Sequence, residues 1–454
     1  MIRISFSLLL WSMFLAVSPM AWARTDAEQS VPTWMSDWTL RLTSDMLPAR
    51  LYDVRANASG LFVNVDGALV RVSFDGHEAW QFRHCVDCGT SVLDTERIYD
   101  FVPLDDGGAW VAVGARLGSL TPSVIKRVFH IDASGGITQE WALDEALGTF
   151  WNNLKLVVHD EQDQCGQAWL LMGTEYGIKR LSFNDQLPGS IPIDYWSSGG
   201  NNHQWMVAGV AWSDASSMSI HMVDAITCAP LLPCPSAGYL IHWSGSGDRL
   251  EFPYFFEYGL LNGFLLLPGG SLARAYYEPP LDIAFSFMHF DGTFSDITAD
   301  FPTLQSTYAP KAWAVNDNLL LQTELDGVLL FNTAGALLGQ FDDVKSEVVR
   351  STGKQLMVAE SFENEPPYTR LGVHVLDAGS LAVVGTALPI SNTPASEGLH
   401  WLVGAPDNTP DNDKLFAYEW DGEALILQRY SQATPARLAR LFTDTFENVT
   451  IVVQ

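Results

Sequence analysis

A short pattern recurs eight times along the chain and limits its fold more than any other feature. A β-like run ending in an apolar or aromatic residue meets a small-residue turn containing Gly, and a second short run follows. The eight copies are SFDGHEAWQF, IDASGGITQEWAL, FNDQLPGSIPIDYW, HWSGSGDRLEFPYF, HFDGTFSDITADF, FNTAGALLGQF, VLDAGSLAVVGTAL and YEWDGEALILQRY. Counted from Gly76, Gly135, Gly189, Gly247, Gly292, Gly335, Gly379 and Gly422, the intervals are 59, 54, 58, 45, 43, 44 and 43 residues. Their mean is about 49, inside the roughly 40–50-residue range of a four-stranded repeat.

Each interval divides into strand-sized pieces. The second unit reads IYDFVPLDD, GAWVAVG, SVIKRVFHID and ITQEWAL, and the seventh reads SEVVRSTG, QLMVAES, RLGVHVLD and LAVVGTAL. Apolar alternation and short apolar runs bounded by Gly, Asp, Asn and Pro are strand signals, and no long amphipathic helical window interrupts them. The chain is therefore predicted to be all-β, with eight four-stranded antiparallel units, or seven if a terminal unit serves only as closure. An open array of such sheets would leave exposed edges that a closed ring removes.

Composition narrows the rest. With 454 residues, 47% hydrophobic and 12% aromatic, the chain is too apolar for disorder and has a core to build. Length alone allows several domains, but one ring uses nearly everything after residue 23, so a single domain over 24–454 is expected. A net charge of −28 argues against a phosphate-backbone partner, which would need clustered Lys and Arg, so no nucleic acid is expected. The first 23 residues, MIRISFSLLLWSMFLAVSPMAWA, combine one cation at Arg3, an apolar stretch interrupted at Ser18-Pro19, and a small-x-small cleavage pattern at Ala21-Trp22-Ala23. This reads as a signal peptide over 1–23, and the expected product is secreted or periplasmic, monomeric and without a further membrane segment.

The repeats resemble those of the β-propeller families, in the looser sense of the quinoprotein-like and WD40-like rings, over about residues 35–454. The resemblance lies in the Asp-Gly or Ala-Gly turn before each last strand and in Trp80, Trp141 and Trp196 closing the first three units. It implies a single propeller of about eight four-stranded blades. Quinone-dependent members commonly carry adjacent cysteines at the cofactor, whereas this chain has no adjacent Cys pair and lacks regular Trp-Asp and Gly-His signatures. The resemblance therefore implies a ring without naming a cofactor. The nearest functional analogy is to periplasmic scaffold propellers that help assemble outer-membrane proteins.

If the strands of a blade run A, B, C, D, the B–C loops and the D-to-A connections share one face of the ring. The insertions at 114–123, 224–236, 277–283, 362–369 and 406–413 are all read as B–C loops, with the HCVDC segment and 252–259 on the same face. Glu278-Pro279-Pro280 and Glu365-Pro366-Pro367 each begin 14 residues before their marker Gly, so two blades carry one tripeptide at one position. The candidate binding face is Tyr277, Glu278, Glu363, Glu365, Tyr368, Asp407, Asp411 and Asp413, because loops on a rigid scaffold are where binding residues concentrate.

Export makes disulfides available. Cys228 and Cys234, bracketing CAPLLPC, are expected to pair. Cys85 and Cys88, in HCVDC, are expected to close a small loop, since Gly89 stands where a haem motif needs His and only three zinc ligands lie close together. Cys165, in an A–B turn on the opposite face, is expected to be an unpaired thiol. Asp407, Asp411 and Asp413 with Asn408 and Asn412 offer oxygens for calcium but lack the ordered spacing and distal Glu of a known loop, so no cofactor is assigned and calcium alone is left open. No Ser nucleophile elbow or phosphate-binding Gly loop occurs, and the ten His are scattered singly. The expected function is an exported non-catalytic propeller that binds an unknown protein or small ligand through the loop face. The alternative is an enzyme, either a carboxylate-based hydrolase or lyase on glycans or a quinoprotein-like oxidoreductase.

Overall fold

The computed structural model describes residues 32–43, 52–65, 67–84, 96–116, 123–150, 154–158, 168–174, 177–183, 193–197, 205–214, 217–224, 237–244, 249–255, 264–278, 282–289, 293–297, 311–322, 327–341, 347–362, 370–387, 400–404, 414–420 and 424–433. Among them every regular element is a strand.

After a first strand, β1 (Thr33–Thr43), the chain builds antiparallel units in order. Blade 1 is β2 (Tyr52–Asn57), β3 (Gly60–Val65), β4 (Ala68–Val72) and β5 (Glu78–Arg83). Blade 2 is β6 (Arg97–Pro103), β7 (Ala109–Arg116), β8 (Ser123–Ile131) and β9 (Ile137–Ala142), and a short β10 (Thr149–Phe150) also pairs β8. Blade 3 is β11 (Leu154–Val158), β12 (Ala168–Gly173), β13 (Gly177–Phe183) and β14 (Ile193–Ser197). Blade 4 is β15 (Trp205–Asp214), β16 (Ser217–Asp224), β17 (Ala237–Ser244) and β18 (Arg249–Phe255). Blade 5 is β19 (Phe264–Leu266), β20 (Leu272–Glu278), β21 (Asp282–Met288) and β22 (Phe294–Asp296). Blade 6 is β23 (Lys311–Val315), β24 (Asn318–Gln322), β25 (Val328–Phe331) and β26 (Leu337–Phe341). Blade 7 is β27 (Glu347–Thr352), β28 (Leu356–Phe362), β29 (Arg370–Asp377) and β30 (Val383–Ala387).

The eighth blade is composite. Strands β31 (His400–Gly404), β32 (Lys414–Trp420) and β33 (Ala424–Gln432) supply its A, B and C positions, and β1 pairs antiparallel with β33 from Trp34 against Gln432 to Thr43 against Ala424. The D strand of the last blade thus comes from the start of the chain. A parallel contact of Thr33 and Trp34 with Thr386 and Ala387 also joins β1 to blade 7. The A strands touch in sequence, β2 to β6, β11, β15, β19, β23, β27 and β31, and β31 touches β2 again. A circuit of adjacent inner strands with no end is a closed ring. The molecule is a β-propeller, and its described strands form eight four-stranded blades.

The burial pattern explains why the sequence reads as it does. The middle strands are covered on both faces by neighbouring blades, so β12 (AWLLMG) and β25 (VLLF) are buried at every residue and run apolar without alternation. Outer strands are covered on one face and alternate, as in the exposed-exposed-buried-exposed-buried-exposed order of β5. The core is accordingly a series of layers between blades. Trp110 and Trp141 of blade 2 stack at 5.1 Å, and Trp141 meets Phe183 of blade 3 at 5.5 Å. Trp110 is fully buried, and removing such a side chain costs about 3–5 kcal/mol.

The marker glycines close hairpins. At Gly76, Gly135 and Gly335 the amide donates to the carbonyl of Ser73, Asp132 and Asn332, respectively, and φ is +86°, +85° and +81°. This left-handed conformation after a tight turn is the bulge that favours Gly. Asp132 Oδ1 accepts from Ser134 and Gly136 amides, and Asn332 Oδ1 accepts from those of Ala334 and Ala336, so the residue that opens the turn also caps it.

Candidate binding end of the ring

Four antiparallel strands per blade put B–C hairpins and D-to-A connections at one end and A–B and C–D hairpins at the other. The four longest connections, 84–96, 225–236, 297–310 and 388–399, all leave strand ends at the first of these.

Of the sequence-derived candidates, Tyr277 and Glu278 fall within the described residues. Tyr277 and Glu278 lie in β20, where they pair with Ile283 and Asp282 of β21, so this B–C loop is only 279–281 and not 277–283. Glu363, Glu365 and Tyr368 fall outside the described residues, between β28 and β29, whose ends Phe362 and Arg370 pair at the B–C end. Asp407, Asp411 and Asp413 also fall outside the described residues. The strands that flank them in sequence, β31 and β32, pair at Gly404 and Lys414 as A and B rather than B and C. The cause is β1: because it supplies the last D strand, β31, β32 and β33 each stand one position earlier than the repeat suggests. Four of the five insertions thus share an end. Cys85, Cys88, Cys165, Cys228 and Cys234 all lie outside the described residues, as does the calcium reading.

Two polar clusters are described near the channel and at the loop end. On the innermost strands, Arg55 donates to Asp53 Oδ2 at 2.7 Å, to Asp100 Oδ1 at 2.6 Å and to the Phe101 carbonyl, with its guanidinium 4.4 Å from the Phe101 ring centre. Asp100 is buried, and its Oδ2 accepts the Leu156 amide at 2.7 Å. Burial works against the Arg55 charge, but Asp100 and then Asp53 outweigh it and hold its pKa above the ordinary value. The cluster ties blades 1, 2 and 3 together. At the loop end, His84 Nε2 lies 2.8 Å from Glu96 Oε2, so the two ends of the connection carrying HCVDC are fastened to each other. The His84 ring packs 5.1 Å from Phe129.

Other histidines have packing partners. His130 Nδ1 lies 2.6 Å from Thr138 Oγ1, and His289 bridges Ser271 Oγ at 3.0 Å and Ser295 Oγ at 2.9 Å. Lys179 is buried, donates to the carbonyls of Ala146 and Leu147 at 3.0 and 2.9 Å, and has its pKa lowered by burial. Each of these groups fastens a turn or a neighbouring blade.

Sequence reasoning missed the role of Trp38. Its indole donates to the Phe74 carbonyl at 2.9 Å and covers Gly76 of blade 1, as Trp80 donates to the Gly107 carbonyl at 3.1 Å and covers Gly135 of blade 2. The signal was present: Trp38-Thr39-Leu40 repeats the Trp-x-apolar pattern of Trp80-Gln81-Phe82 and Trp141-Ala142-Leu143.

No protein-family model matches the chain, and no curated protein does. Among solved structures it is similar to the Pan2 WD40 domain of Neurospora crassa, at 9% identity and a TM-score of 0.40 over 87% of this chain and 95% of that one. It is also similar to BBS1N in complex with ARL6DN, at 12% identity and 0.38 over 89% and 98%. Prolyl oligopeptidase B of Galerina marginata matches at 8% and 0.42 over 81% of this chain and 54% of that one. These likenesses are loose. Sheet order and the circuit of inner strands establish the propeller.

Proposed function

We propose that the protein is an exported, non-catalytic binding scaffold whose partner docks on the end of the ring built by the B–C and D-to-A connections. The observation that carries this reading is the asymmetry of the two ends. The four longest connections between the described strands, of 12 to 14 residues, all leave from one end, whereas the described C–D turns at Gly76, Gly135 and Gly335 of the other end close tightly. A rigid frame under long connections is the usual architecture of a recognition surface. The leader-like first 23 residues support export, and in an oxidising compartment Cys228 and Cys234 are placed by sequence to pair.

A photo-crosslinking residue in place of Tyr277 tests this against the same residue in place of Ala133, in the blade 2 C–D turn. The expected result is a discrete adduct from position 277 in the exported fraction, suppressed by excess unlabelled protein and absent from position 133. Equal labelling from both positions would contradict it.

A further inference from the structure

The inner strands of blades 2 and 3 carry two cations that the ring's own carboxylates do not use. Arg97 opens β6 and Lys155 is the second residue of β11, so both stand where the channel meets the D-to-A end of the ring. Each is half-buried. The described carboxylates on the inner strands of blades 1 and 2, with Glu96 just before β6, are already committed. Glu96 lies 2.8 Å from His84, Asp53 and Asp100 hold Arg55 at 2.7 and 2.6 Å, and Asp100 Oδ2 accepts the Leu156 amide at 2.7 Å. Arg97 instead lies over the face of the Tyr99 ring, 4.8 Å from its centre, and among the described residues no carboxylate pairs with Arg97 or Lys155.

Tyr99 adds an independent observation. It is the extra residue of a bulge, between Ile98 opposite Val113 and Asp100 opposite Ala112, and a bulge re-aims the side chain it carries. Phe150 packs edge-on to its ring at 5.4 Å, and its hydroxyl is shut off from solvent with no hydrogen-bond partner among the described residues. A buried hydroxyl in that state is unfavourable and marks a place that a bound group or a water completes. A guanidinium beside the phenol favours an acceptor with negative charge. The Leu156–Asp100 bond holds β11 alongside β6, so Lys155 and Tyr99, each one position earlier, stand at the same level of the channel wall. Leu154 and Leu156 fill the layer against blade 2, which leaves Lys155 on the other side of β11, able to attract an anion at longer range.

We propose that the channel mouth at blades 2 and 3 binds a small oxyanion, a carboxylate or phosphate group, between Arg97 and the Tyr99 hydroxyl, with Lys155 raising the local potential. Arg97, half-exposed and held by no carboxylate, turns off the ring face toward the anion and opens the way to the phenol. The net charge of −28 repels polyanions at long range, so a compact ligand fits this site and a nucleic acid does not. The site goes beyond the scaffold reading and does not depend on a docked partner.

Equilibrium dialysis of the full chain against radiolabelled inorganic phosphate and, separately, acetate tests this. One saturable site per chain is expected for at least one of the two, and which ion binds assigns the ligand group as phosphate, carboxylate or either. Arg97→Gln should weaken binding by at least about tenfold, and Lys155→Gln by about two- to threefold in a salt-dependent way. Tyr99→Phe keeps the ring beneath Arg97 and should also weaken binding by about tenfold, with a melting temperature no lower than that of the unaltered protein. In unaltered protein the bound anion should slow modification of Arg97 by phenylglyoxal, read by mass spectrometry. Absence of saturable binding, unchanged modification of Arg97, or unchanged binding in Tyr99→Phe, the result if water alone completes the hydroxyl, overturns the proposal. A specific adduct at position 277 without anion binding leaves the scaffold reading standing and removes this one, and anion binding without an adduct does the reverse.

Discussion

Two joints of the ring use one device under different topological conditions. Between blades 1 and 2, Arg71 of β4 pairs across the sheet with Trp80 of β5, and both reach into the next blade, Arg71 to the Ala133 carbonyl at 3.1 Å and Trp80 to that of Gly107. Between blades 8 and 1, Arg429 of β33 pairs with Trp38 of β1, and both reach the Phe74 carbonyl, at 2.7 and 2.9 Å. The first joint links neighbours in sequence. The second links the two ends of the chain, with Arg429 and Phe74 separated by 355 positions. Closing a long loop adds entropy cost only slowly with length, but the contact cannot form until both ends are in place. The N-terminal strand carries additional ties, within blade 8 and to blade 7: Ser431 donates to Asp37 at 2.6 Å, and buried Trp34 stands where a side chain on Gly385 of β30 would be, 2.5 Å from a Cβ built there. Equal clamps thus hold unequal joints, and the chain adds contacts where connectivity gives no help.

The comparison can be broken in several ways. The largest effect is expected at the inner tie of blades 1, 2 and 3: Arg55→Ala leaves buried Asp100 without its cation and should lower unfolding free energy by about 3–5 kcal/mol in urea titrations. Next come the clamps. Trp80→Ala should cost about 3–5 kcal/mol, and Trp38→Ala, whose side chain is less buried, about 2–3 kcal/mol at equilibrium. In stopped-flow refolding, only Trp38→Ala should slow the final phase, because only that contact waits for the whole chain. Equal slowing by both would mean that the ring does not close last at this joint.

Smaller effects should be matched between the joints. Gly76→Ala and Gly135→Ala each force a Cβ onto a positive φ and against an indole, 2.8 Å from Trp38 Cδ2 and 2.6 Å from Trp80 Cβ, and each should cost about 1–3 kcal/mol by thermal denaturation. Smallest is the acid dependence. The Ser73 hydroxyl holds the Asp75 pKa below its ordinary value, and the Ser134 hydroxyl, with the Gly136 and Ser134 amides, does the same for Asp132. A depressed carboxylate contributes stability that is full above its unfolded pKa, near 3.9, and is lost as pH falls through the lower folded value. Asp75→Asn and Asp132→Asn should each flatten the acid limb of a stability–pH curve slightly and leave pH 7 nearly unchanged.

Much of the ring was legible in the sequence because its determinants are local. The marker glycines at 76, 135 and 335 have positive φ, which only a few residues adopt readily, and Trp80 and Trp141 alternate with exposed neighbours on one-sided strands. The register of four insertions follows from the same periodicity. The strand order of the eighth unit was not legible, because the repeat suggests that each unit draws its four strands from consecutive residues, whereas pairing of β1 with β33 depends on no local signal. The Arg55–Asp100 tie was hidden for a similar reason: its members lie on neighbouring blades, and only the ring brings them together.

Closure of the ring by the N-terminal strand is tested most directly by a cysteine pair at Thr39 and Gln428, which stand opposite each other in the β1–β33 register. Directly opposed strand positions lie within reach of a disulfide. Under mild oxidation the account predicts an intramolecular bond between the peptides carrying positions 39 and 428, recovered by mass spectrometry from monomeric protein. A bond found only between molecules, or none at all in folded protein, would contradict it.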